Sequence, residues 1–367
     1  MKFICSKDIL LNSISIVSKA INSTSALDIL KGIKIEVKDK VKLTGSDMDI
    51  SIESEFDADI REKGNIIVDA RIFGDIVRKL PDGDVEFFTT NESEVMIVCK
   101  NTNFNILYLS AQGYPDIKKV EDGDKIKIYS KDLKNIIKNT IFSISTNDSR
   151  PVLTGSKFEI TKGNMKVVSI DRSRLAMRNQ IIPETSFDEL FFVVPGRVLN
   201  ELIKLLKDDE TIVNVEIKNN SVMFSFDTFT IIARLLEGEF FDYNKSIPAN
   251  NSIKAVVDVK PFTDMVERAA IIINYDDPKI PVTLNIVGSE INLECISKRG
   301  NFKETINIDK QGNDLKINID SKLLLDALKC IEHDKAVFEF NTEISPCLIK
   351  PVEGDSFLYM VLPRRSR

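Results

Sequence analysis

Between positions 130 and 142, apolar Leu133, Ile136, Ile137 and Ile141 fall at helical spacing. Lys131, Lys134 and Lys138 gather on another flank, the pattern of an amphipathic helix with a basic side. The apolar spacing returns at Leu10, Ser13, Ile14 and Val17, after the entry Ser6-Lys7-Asp8, and at Phe262, Met265, Val266, Ala269 and Ala270. Leu10 and Leu133 are 123 positions apart, and Leu133 and Phe262 are 129 apart. A second helical pattern repeats without a gap in Ala70-Arg71-Ile72-Phe73, Gly196-Arg197-Val198-Leu199 and Ser321-Lys322-Leu323-Leu324, at offsets of 126 and 125. In each copy a basic residue opens this helix and another follows seven positions on, along the same face: Arg71 and Arg78, Arg197 and Lys204, Lys322 and Lys329. Self-similarity at this period, far longer than a solenoid repeat, means one domain design used three times.

Alternating apolar and polar positions predict strands between these helices. In the first copy they fall at residues 1–5, 32–37, 41–44, 48–55 and 65–68, then at 84–89, 94–99 and 104–108. The helices cover about 8–21 and 70–80, and Pro81-Asp82-Gly83 stops the second one. The second copy repeats the order, with a helix from Ser130 to Phe142 and strands at 157–160, 165–169, 175–180, 190–194, 212–218, 221–226 and 228–234. The third ends in a strand over 357–362. Gly113, Pro115 and Gly123 mark a linker over 110–124, and Gly238 to Tyr243 forms a second linker similar to Gly113-Tyr114-Pro115-Asp116. The expected domains are 1–124, 125–252 and 253–367, each an α+β unit with two helices packed on antiparallel sheets.

The 367 residues suffice for three domains that each bury a core, and 43% apolar with 29% charged residues is an ordinary globular balance. No apolar run approaches a membrane span, and Lys7 and Asp8 break the apolar start, so a cytoplasmic protein is expected. Cys5, Cys99, Cys295, Cys330 and Cys347 are odd in number and scattered, which suits core residues better than disulfides or a metal site. The net charge of −6 argues against a nucleic-acid partner until its distribution is considered. Acidic residues crowd turns, as in Asp116, Glu121, Asp122 and Asp124 or Asp208, Asp209 and Glu210, whereas the repeated helices keep lysine and arginine on a common face. One such helix alone would be read as solvated surface. Three copies in register point to contact with a phosphate backbone, without the Asn and Gln expected of base readout.

The triple repeat, the segment Val168-Ser169-Ile170-Asp171-Arg172-Ser173-Arg174-Leu175-Ala176 and the ending Leu362-Pro363-Arg364-Arg365 together resemble the beta subunit of bacterial DNA polymerase III, the sliding clamps, across the whole chain. The resemblance implies that three similar domains form a crescent and that two crescents close into a ring whose twelve helices surround duplex DNA. It places Arg71, Arg78, Lys131, Lys134, Lys138, Arg150, Arg197, Lys204, Lys322 and Lys329 toward that DNA. Ala270, Ile271 and Ile272 would meet the first domain of the other subunit. A cleft between the second and third domains would take an extended peptide from DNA polymerase III alpha subunit, clamp loader and repair proteins. Its wall would be Leu153, Ile170, Arg174, Leu175, Phe241, Ser246, Leu323, Ile344, Pro346, Leu362, Pro363 and Arg365. The chain departs from the family in carrying Arg172-Ser173 where Gly-His is common, Phe241 in place of a proline, and Arg364 where a methionine often stands.

An enzyme would need a nucleophile with its base, a metal cage or a phosphate loop. The single histidine, His333, lies in a turn after a helix, and neither GxxxxGK[ST] nor GxGxxG occurs. Asp47 and Asp49 could hold a divalent ion in a metal-dependent DNA-processing enzyme. Asp47 matches Asp171 across the repeat, however, and suits a turn residue better. The expectation is therefore a non-catalytic protein without a cofactor or metal, retained on DNA by topology.

Overall fold

The computed structural model describes residues 1–90, 93–117, 119–147, 149–185, 187–277 and 279–364. They contain six α-helices: α1 (Lys7–Val17), α2 (Ala70–Lys79), α3 (Ser130–Lys138), α4 (Gly196–Leu205), α5 (Val259–Asn274) and α6 (Ser321–Leu328). The chain folds as two compact units. One comprises residues 1–131, 183–187 and 204–235, and the other 132–182, 188–203 and 236–367, so the chain changes unit within α3 and α4.

The first unit is built on a 14-stranded sheet. Asp69 caps α2, its carboxylate accepting from the Ile72 amide at 2.8 Å, and the helix then buries Ala70, Phe73, Gly74, Ile76 and Val77. Phe73 packs against Phe87, which stacks on Phe3 with ring centroids 5.0 Å apart. Each buried aromatic contributes about 1.5–3 kcal/mol by leaving water. α1 buries Leu10, Ser13, Ile14, Ile16 and Val17 over the strands Val41–Ser46 and Ile50–Phe56. Gly45 permits the approach, since a Cβ there would lie 2.2 Å from the Val17 carbonyl oxygen.

The second unit holds a nine-stranded and a four-stranded sheet, with α5 and α6 packed together over Phe262, Met265, Leu324 and Leu328. Pro261 falls in the first turn of α5, where its missing N–H costs nothing.

One kind of strand pairing occurs twice. The last strand of the second copy, Phe229–Arg234, runs antiparallel to the third strand of the first copy's sheet, Ile50–Phe56, with Ile231 opposite Ile52. The last strand of the third copy, Phe357–Val361, lies in the same way against Arg174–Ile181 of the second, with Met360 opposite Leu175. Buried Arg178 fastens that second joint. Its guanidinium donates to Tyr359 Oη and Asn135 Oδ1 at 3.0 Å each and to the Cys330 carbonyl, and its charge faces Glu332 at 3.6 Å.

The predicted strands are present with ends shifted by one or two residues, and two short strands, Asp59–Glu62 and Glu184–Thr185, join them at the margins of the large sheet. Two helices end earlier than predicted. α1 stops at Val17 because the Ser18 hydroxyl donates to the Ile14 carbonyl at 2.7 Å, and a short 3-10 turn follows over Ser18–Ala20. α3 stops at Lys138, and the Thr140 hydroxyl donates to the Ile136 carbonyl at 2.7 Å in the same manner. Cys5, Cys99, Cys295 and Cys347 are buried and Cys330 is half-buried; burial, with Asp84 nearby, pushes the Cys5 thiol up to about 12.

Candidate functional site

The repeated basic positions stand on their helices as the heptad spacing requires. Arg71 and Arg78 on α2, Lys131 and Lys138 at the ends of α3, Arg197 and Lys204 on α4, and Lys322 and Lys329 beside or on α6 are exposed, while Lys134 is half-buried. Their acidic neighbours are closer than expected. Arg78 pairs with Asp75 one turn back at 2.8 Å, Lys131 with Glu210 at 2.6 Å, and Lys329 with Glu267 of α5 at 2.9 Å. Acidic residues therefore sit on the helices as well as in turns. Such exposed pairs contribute little, so the side chains can exchange them for a phosphate.

Arg150, expected with the DNA-facing set, lines a cavity of about 290 Å3 in the second unit, its guanidinium 5.9 Å from the centre of the Phe241 ring. Leu153, Ile170, Arg174, Phe241, Ser246 and Leu362 line the same cavity, as the sequence led us to expect, and Asp171, Arg172 and Met360 join them. Leu175 lies behind its wall, in a core cluster with Leu153, Ile170, Leu358 and Met360. Leu323, Ile344, Pro346 and Pro363 fall outside the lining: Leu323 turns onto the core of the third copy, and Ile344 is exposed. Arg365 lies outside the described residues. Met360 was missed, although its place opposite Leu175 in the strand ladder is what puts it there.

The cleft is held open by polar contacts in its walls. Asp171 accepts from the Ser173 and Arg174 amides at 2.7 and 3.0 Å and from Arg174 Nε at 2.8 Å. Arg174 reaches on to Asp326 of α6 at 2.6 Å and lies 5.3 Å over the Phe142 ring. The Leu362 amide donates to the Ser173 carbonyl at 2.8 Å, which fixes the chain just beyond the last strand. Next along, the Arg364 amide donates to the Asn318 carbonyl at 2.8 Å, and its guanidinium binds Asp320, the residue that also caps α6 through the Lys322 amide at 2.9 Å.

A larger cavity, about 530 Å3, lies between α1 and α2 in the first unit, bordered by Ile14, Ser15, Arg71, Gly74 and Arg78. Gly74 leaves that space; the matching positions in the other copies carry Asn200 and Leu325. Asp47 takes the turn role expected for it, accepting from the Asp49 and Ile50 amides at 3.1 and 3.0 Å, as Asp171 does one copy later. His333 is exposed, with its ring 5.7 Å from Phe357. No helix of the described residues is long and apolar enough to cross a membrane.

Three α+β copies joined strand to strand, with basic helices and an apolar cleft at a joint, define a three-domain clamp. Family profiles agree in chain order: DNA polymerase III beta subunit N-terminal domain over residues 1–118, central domain over 127–242 and C-terminal domain over 244–365. The beta sliding clamp of Staphylococcus epidermidis is 33% identical, and the alignment covers 100% of each chain. Two crystal structures match over 100% of both chains with a TM-score of 0.96: a DNA polymerase III beta subunit from Eubacterium rectale, 35% identical, and a DNA polymerase sliding clamp from Bacillus subtilis, 32% identical. The chain belongs to the DNA polymerase III beta subunit family, whose members are DNA sliding clamps and are not themselves catalytic.

Proposed function

We propose that two copies of this chain close into a ring around duplex DNA and hold the replicative DNA polymerase at its template, with three domains bounded near residues 124 and 252. The observation that carries the reading is the repeated joint. In two places the last strand of one copy docks on the third strand of the preceding copy. Two strands of the same rank are left with an open edge among the described residues: Thr102–Ser110 along its 102–107 portion, and Gly300–Asn307 at the margin of the four-stranded sheet. Open edges with apolar side chains invite pairing. Leu107 is 73% exposed on the first strand, and Ile296 and Ile271, 76% and 57% exposed, stand in the third copy, where Ile272 packs inward. The same joint made once more, between the first copy of one chain and the third copy of another, uses both edges and generates a closed isologous pair.

Exposed basic residues on repeated helices suit a ring that slides. Phosphate contacts of this kind are individually weak and exchange quickly, so retention comes from topological linkage while a tethered polymerase rebinds within the complex. Arg71, Arg78, Lys131, Lys134, Lys138, Arg150, Arg197, Lys204, Lys322 and Lys329 are the residues we assign to the DNA face. The cleft at Leu153, Ile170, Phe241, Met360 and Leu362 is the site for a short peptide of the polymerase alpha subunit, of the clamp loader that opens the ring with ATP, and of other replication and repair proteins in the cytoplasm. Overall acidity discourages DNA from binding elsewhere.

Sedimentation at micromolar concentration tests the pairing. A dimer is expected, and Leu107→Asp with Ile271→Asp should convert it into folded monomers; a strict monomer before any substitution contradicts the ring. Charge reversal tests the DNA face. Arg71→Glu, Arg197→Glu and Lys322→Glu together should leave thermal unfolding within about 1 kcal/mol of the unaltered protein while abolishing productive loading. Unchanged retention on DNA would exclude these helices.

A further inference from the structure

We propose that Arg364 and Asp320 are positioning residues for the cleft: their ion pair holds the turn beyond the last strand, and through it the Leu362 side chain, where an apolar anchor of a partner peptide meets it. The inference rests on reading the cleft as a peptide-docking site. Leu362 lines the cavity with Leu153, Ile170 and Met360. Those three are buried in a core cluster, whereas Leu362 is 36% exposed and stands outside the strand ladder, whose final pairs join Val361 to Arg174 and to Cys347. Little packing of its own therefore fixes this part of the wall. The Leu362 amide donates to the Ser173 carbonyl at 2.8 Å, and Pro363 next to it has no N–H to give. Arg364 supplies the next hold, its amide donating to the Asn318 carbonyl at 2.8 Å and its guanidinium to Asp320, from Nε at 3.1 Å.

The two oxygens of buried Asp320 have separate partners. Oδ1 accepts from the Lys322 and Leu323 amides at 2.9 and 3.3 Å and so caps α6, while Oδ2 takes both Nε and an Nη of Arg364. The turn is thereby fixed to a helix that is itself anchored in the core through Leu324, Ala327 and Leu328. A charge-assisted contact from a planar guanidinium is directional as well as strong. A wall ordered in advance spares an incoming peptide the entropy of ordering it. Arg364 is a position at which this chain departs from its family's common residues, so the device belongs to this chain's own cleft.

The division of the oxygens supplies the test. In Asp320→Asn the remaining carbonyl still caps α6, asparagine being as good a cap as aspartate, while an NH2 group replaces Oδ2 and faces the guanidinium donor to donor. The full-length protein and its variants are titrated with an acetylated, amidated peptide that carries leucine and phenylalanine among glycines and serines. Asp320→Asn and Arg364→Gln should each weaken binding about three- to tenfold, and together no more than the larger of the two. Arg364→Lys, which keeps a charge at Asp320, should come within about twofold of the parent. Leu362→Ala should weaken binding by about tenfold or more, and Arg364→Gln added to it should change the affinity by less than about twofold, because the ion pair acts through that side chain. Amide exchange at Leu362 and Arg364 should quicken in Asp320→Asn and Arg364→Gln, with Cys347–Pro351 unchanged. Unaltered affinity in those two variants, tighter binding in either, or a full further loss in the Leu362→Ala background overturns the proposal. Failure of the parent protein to bind the peptide overturns the docking reading itself and the proposal with it.

Discussion

In the first two copies the sheet face under the linker carries a glutamate between lysines, and in the third copy the same register carries none of these charges. Glu36 stands opposite Lys42 and lies 2.9 Å from Lys38, and Glu159 stands opposite Lys166 and lies 2.7 Å from Lys157. Asn285 occupies the position in the third copy, opposite Asn292, and Thr283, where the others have Lys34 and Lys157, donates to Asn318 at 2.8 Å. The difference follows what each sheet must hold. Tyr114 of the first linker packs under Lys34, its ring centre 5.7 Å from the ammonium, and Tyr243 of the second lies 6.0 Å from Lys157. After the third copy's last strand the chain is instead fixed by Arg364 on Asp320. Equivalent registers thus keep the same backbone while their side chains are set by the segment that folds back over them.

The two tyrosine clasps also differ in strength. The Tyr243 hydroxyl donates to the Glu159 carboxylate at 2.8 Å, whereas that of Tyr114 reaches the Thr44 carbonyl only at 3.4 Å. Burial would raise the Glu159 carboxyl, but hydrogen bonds from Lys157 and Tyr243 and the charges of Lys157 and Lys166 outweigh it and hold the group below the ordinary value of 4.5. A carboxyl lowered in this way contributes stability above its ordinary value, and the contribution is lost as pH falls through the lowered one.

The largest effect should come from Glu159→Gln, which leaves Lys157 and Lys166 without their acid and costs about 1–2 kcal/mol near pH 7. Amide exchange over residues 155–170 should then accelerate roughly 5- to 30-fold, with 282–297 unaffected. As pH falls through the parent's lowered carboxyl value the variant and the parent should converge, because the parent's carboxyl takes up its proton there. A constant difference across pH would refute the charge account. Tyr243→Phe should come next, about 1 kcal/mol, and Tyr114→Phe smallest, under about 0.5 kcal/mol given its long bond. Equal effects of the two, read by proteolysis at each linker, would show that packing alone holds the clasps.

The period of the repeat, the helix faces and most strands were legible because burial writes itself as spacing, and helical and strand periods differ. Helix ends at Val17 and Lys138 were not, since the hydroxyls of Ser18 and Thr140 compete for carbonyls in a way that apolar spacing does not register. Six of the expected cleft residues came together because they follow strands whose register the repeat fixes. The place of Arg150 beside Phe241 was not legible, because a turn's direction depends on the ring and chain it meets, here some ninety positions away. Arg178 escaped notice for the opposite reason: a charged residue within a strand reads as solvent-facing until its buried partners, Tyr359, Asn135 and the Cys330 carbonyl, are in view.

Retention on DNA of different topology tests the central claim most directly. The protein, placed on a nicked circular duplex by its loader and ATP, is followed through gel filtration in about 0.5 M salt, where direct phosphate contacts are largely screened. The ring account predicts that the protein stays with the circle and is released when a single cut makes the circle linear. Release from the intact circle, or retention after the cut, would contradict it.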